Sequence, residues 1–167
     1  MNNKLLIKFC GLENGSYSFD YKIDGAFFEA YGNSELAKCD FDVKVNLLRE
    51  ETLMTLSVNI SGEIESICDR CLDPLIIPIN VSDTLFVKQA EGDPTDENVL
   101  FVTKADTQID ISKFIYDMVC VGIPFRKVHH VDENGESGCN KEQIALLEKM
   151  KEKKEMDPRW DALKKLK

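Results

Sequence analysis

Met54-Thr55-Leu56-Ser57-Val58-Asn59-Ile60-Ser61-Gly62-Glu63-Ile64-Glu65-Ser66-Ile67-Cys68-Asp69-Arg70-Cys71 is the stretch on which the fold of this chain turns. Met54, Leu56, Val58 and Ile60 recur at every second position, and the apolar face continues past Gly62 to Ile64. A period of two marks a strand with one face buried and the other wet. Phe41, Val43, Val45 and Leu47 repeat the pattern upstream, and Arg49-Glu50-Glu51 supplies a polar turn between the runs. The two runs predict a long antiparallel hairpin with Cys68-Asp69-Arg70-Cys71 at its far end. Ile77, Ile79, Val81, Leu85 and Val87 then share one side of a returning strand.

A Cys-x-x-Cys step between strands can turn two thiolates toward one point, as a soft tetrahedral ion requires. Three readings are open for Cys68 and Cys71: half of a zinc site, a redox pair, or two small buried residues. A zinc site needs two more donors, and His129, His130 and Cys139 cluster as the candidates. Four protein ligands would close the site and make the ion structural. A redox pair normally opens a helix after a strand of a βαβ unit. Pro74 and the extended pattern after it leave no such helix here. Cys10, Cys39 and Cys120 read as core or strand-end residues.

Outward from the hairpin, Leu5, Ile7 and Phe9 form one strand face and Tyr17, Phe19, Tyr21 and Ile23 another, with Glu13-Asn14-Gly15 as a turn between them. Asp24 can cap a short helix closed by Gly32. Residues 90–98 are turn-rich and acidic, and Val99 to Val102 is a short strand. Asp110 or Ser112 can cap a helix through Lys113 to Val121, ended by Gly122 and Pro124. Asn140 can cap a polar helix over about 141–155 with Ile144, Leu147 and Met150 as its stripe. Asp157-Pro158 opens a last short helix with Trp160, Leu163 and Leu166 on one side. The expected fold class is α+β: a mainly antiparallel bent sheet or partial barrel with packed helices and a helical C-terminal arm. The expected division is 1–125, a β-rich domain with the Cys-x-x-Cys knuckle, and 126–167, a loop and basic helical arm.

The chain has 167 residues, 43% of them hydrophobic, enough for a real core. No apolar run approaches the roughly 20 residues that span a bilayer, and the N-terminus reads as a first strand rather than a signal peptide. A cytoplasmic protein without a membrane partner is expected, with its six cysteines reduced. Net charge is −9, which argues against a wholly basic nucleic-acid binder. The charge is uneven, however: residues 141–167 hold nine Lys or Arg against six Asp or Glu. Arg126, Lys127, Arg159, Lys164 and Lys165 could meet phosphates, and Trp160 could stack on a base or anchor a helix. No Ser-His-Asp or Cys-His arrangement and no Gly-rich phosphate loop has a recognisable context, so neither an enzyme nor a small-molecule substrate is expected.

Ser61-Gly62-Glu63-Ile64 leading into Cys68-Asp69-Arg70-Cys71-Leu72-Asp73-Pro74-Leu75 resembles the hallmark of the YceD family of bacterial and plastid proteins, a domain of unknown function. Asp110-Ile111-Ser112 before a helix ending near Ile123-Pro124 is similar to the family pattern, as is the closing Asp157-Pro158-Arg159-Trp160-Asp161-Ala162-Leu163-Lys164-Lys165-Leu166. The resemblance implies metal binding, with Cys68, Cys71 and Cys139 at thiolate positions. It also implies a non-catalytic role in large ribosomal subunit biogenesis and accumulation of its RNA, in contact with rRNA or a ribosomal protein. The alternative is a zinc-stabilised protein-interaction module without RNA contact. Many members carry several cysteines in the loop before the final helices. Here Cys139 stands alone, with His129 and His130 upstream.

Overall fold

The computed structural model describes residues 4–90, 98–103, 105–131, 135 and 137–152. The fold is α+β, as expected. Its elements are β1 (Leu6–Lys8), β2 (Gly15–Asp24), α1 (Gly25–Glu29), β3 (Cys39–Arg49), β4 (Leu53–Ile67), β5 (Pro74–Gln89), β6 (Val99–Val102), β7 (Gln108–Asp110), α2 (Ser112–Gly122) and α3 (Lys141–Glu152). The chain forms two compact units. One joins the chain up to Ser66 with Ile76–Phe125, and the other joins Ile67–Leu75 with the chain from Arg126 onward.

The first unit is dominated by an open five-stranded sheet in the order β2-β3-β4-β5-β6. The hairpin read from the sequence is present, with Val43 opposite Ile60, Val45 opposite Val58 and Leu47 opposite Leu56. All six side chains are buried, each contributing about 1.5–3 kcal/mol by leaving water. Gly62 lies opposite Phe41, where a Cβ would fall 2.1 Å from the Asp40 carbonyl oxygen. Only glycine lets the two strands approach this closely.

Helices cover the apolar side. Asp24 caps α1 by accepting from the Ala26 N–H. Phe28 of α1 is buried, with its ring 5.9 Å from that of Phe41 in β3 and 6.1 Å from that of Tyr116 in α2. The structure also differs from the sequence reading. β1 pairs antiparallel with β7, a strand not foreseen, and not with β2. β6 runs parallel to β5. Ser112 is not the cap of α2 but lies inside it, buried, and its hydroxyl accepts the Leu5 N–H at 2.7 Å. Asp110 instead accepts the Ser112 N–H. Most of the acidic loop at 90–98 and the terminal helix expected from Asp157 lie outside the described residues. No described helix is long and apolar enough to cross a membrane.

Candidate metal centre

The second unit is organised around sulfur. Cys68, Cys71 and Cys139 are buried together, with Leu75, Val128 and Ile144 packed partly buried against them. The knuckle reverses the chain between β4 and β5. The Cys68 N–H donates to the Asp73 carbonyl and the Leu72 N–H to the Cys68 carbonyl, both at 2.9 Å. The turn leaves Leu72 at φ 64, a left-handed conformation that costs a non-glycine residue about 1–2 kcal/mol.

A second segment is clamped to this turn. The Asp69 N–H donates to the Lys127 carbonyl and the Lys127 N–H to the Asp69 carboxylate, each at 2.7 Å. Residues 128–131 then run past the knuckle, and the two adjacent histidines meet different surroundings. His129 turns toward the cysteines, whereas His130 is exposed and its carbonyl accepts the Gly138 N–H. Cys139 follows directly, and Asn140 caps α3 by accepting the Glu142 N–H at 3.0 Å.

Cys68, Cys71, His129 and Cys139 each direct one donor atom inward, all within 4.8 Å of one another. A tetrahedral ion with zinc–sulfur bonds of about 2.3 Å and zinc–nitrogen bonds of about 2.1 Å sets S···S near 3.8 Å and S···N near 3.6 Å. The Sγ atoms of Cys68 and Cys139 are 3.9 Å apart, and Cys71 Sγ lies 3.4 Å from His129 Nδ1. The donor set and spacings therefore fit a soft tetrahedral ion. The far side of the imidazole is fixed as well. Its Nε2–H donates to the Pro74 carbonyl at 3.1 Å, which leaves Nδ1 as the lone pair facing the sulfurs.

The electrostatics suit a cation. Burial pushes the Cys68 thiol up, but backbone N–H groups of Cys71, Arg70 and His129 outweigh it and bring it from 9.0 down to about 6. Cys139 is lowered by the Ser137 hydroxyl, against burial and with help from His129. Burial raises Cys71. His129 is raised, first by its contact with Cys139 and then by Cys68. Cys68 is thus held ready as a thiolate at neutral pH, and Cys139 is shifted in the same direction. By contrast, burial and the charges of Asp24 and Asp40 push Cys39 up to about 11. Cys10, Cys39 and Cys120 lie outside the cluster.

Of the expected partner-binding residues, Arg126 is exposed and Lys127 is half-buried beside the knuckle. Arg159, Trp160, Lys164 and Lys165 lie outside the described residues. The sequence reading missed the Pro74 carbonyl, the Ser137 hydroxyl and the Asp69 clamp. None of these follows a spacing rule, since each depends on which backbone segment comes to lie beside the knuckle.

No curated protein and no solved structure matched the chain in either search. The family model described as large ribosomal RNA subunit accumulation protein YceD matches residues 56–167. That match spans about two-thirds of the chain and takes in all four inward-facing donors. The Cys-x-x-Cys hairpin tip and the segment that completes its cluster therefore sit inside one family signature, and the chain belongs to the YceD family.

Proposed function

We propose that this protein is a non-catalytic factor in large ribosomal subunit biogenesis whose second unit, organised by a structural zinc ion, contacts ribosomal RNA. The convergence of Cys68, Cys71, His129 and Cys139 carries the zinc part of this reading. Four protein donors leave no open position for a substrate, so the ion would hold the knuckle and the 126–140 segment together. The rRNA part is supported by the family description and by charge. The second unit carries 12 Lys and Arg against 11 Asp and Glu, whereas the first carries 9 against 19. A polyanion is repelled by the first and tolerated only by the second.

Sedimentation of cell extract at low and moderate salt tests the reading. Co-migration with large-subunit particles at low salt, lost as salt rises, is expected. A protein confined to the top fractions at both salt levels would refute it. The acidity of the first unit favours one other reading, a module that clasps a basic ribosomal protein without touching RNA. Capture that survives nuclease but is lost on neutralising acidic residues would select that alternative.

A further inference from the structure

The knuckle presents a residue that its own fold does not require. Leu72 occupies a left-handed position that glycine or asparagine would take more easily, yet its side chain is 74% exposed and packs on little. Strain and exposure at one residue point outward, to something the side chain meets. The charges beside it fit the same view. Arg70 and Arg126 are both exposed, and each is one residue away from the hydrogen-bonded pair of Asp69 and Lys127. Neither guanidinium joins an ion pair or hydrogen bond among the described residues. Two exposed guanidinium groups flanking this clamp can each take a phosphate oxygen in a charge-assisted hydrogen bond.

We propose that Arg70, Leu72 and Arg126 form a contact site for single-stranded RNA, with the guanidinium groups on phosphates and the Leu72 side chain against the face of a base or ribose. This deepens the rRNA reading above and rests on it. The chemistry favours RNA over a protein partner. The two guanidinium groups and the family's tie to large-subunit RNA favour phosphates as their partners, with the exposed Leu72 side chain suited to an unstacked base or ribose.

The test is filter binding of the zinc-loaded full chain to a labelled mixed-sequence RNA of about 20 nucleotides, over a range of salt. Arg70→Gln and Arg126→Gln are each expected to reduce the slope of log affinity against log salt by about 0.7. Leu72→Asn and Leu72→Gly are expected to weaken binding about tenfold without changing that slope. Zinc content should stay at the wild-type level, and the Leu72 variants should melt no earlier than wild type. Wild-type binding in all four variants would overturn the site while leaving the rRNA reading intact. Failure of the wild-type chain itself to bind RNA would remove both. Weaker binding that tracks loss of zinc would make these residues structural and overturn the assignment. So would intact RNA binding combined with loss of capture of a purified basic large-subunit protein.

Discussion

Withdrawing the ion from the zinc-loaded protein with excess chelator should open the second unit while leaving the first folded. The magnitude follows from what holds each unit together. Apart from the cysteines, the sulfur cluster is covered by Leu75, Val128 and Ile144, none fully buried. At about 25 cal/mol per Å² these three contribute about 1 kcal/mol apiece. A structural zinc ion contributes on the order of 10 kcal/mol, so it outweighs the apolar cover by about threefold. The first unit has its own core in Phe28, Phe41, Leu47, Leu56, Ile60 and Ile115, and needs no ion. Amide hydrogen exchange reads both units at once. On chelation the amides of Cys68, Asp69 and Leu72, whose acceptors lie within the knuckle or on Lys127, should exchange at least about 1,000-fold faster, a change of about 4 kcal/mol. Amides of Val43 and Val45 in β3 should keep their protection. Unchanged exchange at Asp69 and Leu72 would refute the argument, and so would simultaneous loss of protection in β3.

Further outcomes follow from the same geometry. Zinc affinity should fall as pH drops from about 8 to 6, by about tenfold or more per pH unit, because each proton taken up by a donor displaces the metal. The signs are clear: Cys68 is depressed to about 6, so its thiolate contributes in full above 9.0 and is lost as pH falls through 6. His129 is raised above 6.5, so in the metal-free chain its pairing contributes below 6.5 and fades as pH climbs past the raised value, opposite to the metal. Titration of zinc against a competing indicator checks this. His129→Ala should cut bound zinc well below one ion per chain, while His130→Ala should leave it unchanged, as elemental analysis would show. Gly62→Ala should destabilise the first unit by about 2–3 kcal/mol in denaturant unfolding, because the added carbon meets the Asp40 backbone. In thiol labelling at neutral pH, exposed Cys10 should react first and Cys39, held at about 11, slowly. Cys68, Cys71 and Cys139 should react only after chelation.

The sheet was legible because alternation is a long-range signal. Val43, Val45, Leu56 and Val58 fix both the strand assignment and the buried face over many residues. Leu5, Ile7 and Phe9 give β1 the same signal, but β7, three residues long, carries no such pattern, and its pairing with β1 shows only once the Ile111 N–H and Leu5 carbonyl are seen bonded across the intervening chain. The parallel setting of β6 was likewise hidden, because direction is decided by the connection rather than by the strand's own residues. At the metal centre, the sequence supplied the cysteines but left two adjacent histidines undecided. The Gly138 N–H on the His130 carbonyl, together with the Pro74 carbonyl, sets which ring faces inward, and neither contact has a spacing signature. Leu72 escaped notice because its residue type gives no warning of a left-handed backbone.

Cys68 and Cys71 sit at the join of the two longest strands, whereas the last sulfur donor arrives 71 residues after the first. A chain halted by a premature stop anywhere between Cys71 and Cys139 could thus complete its main hairpin and still display two unligated cysteines. Only a chain that has reached Cys139 can close the tetrahedron. The ion would then separate chains that extend past that cysteine from shorter ones that look alike up to Cys71.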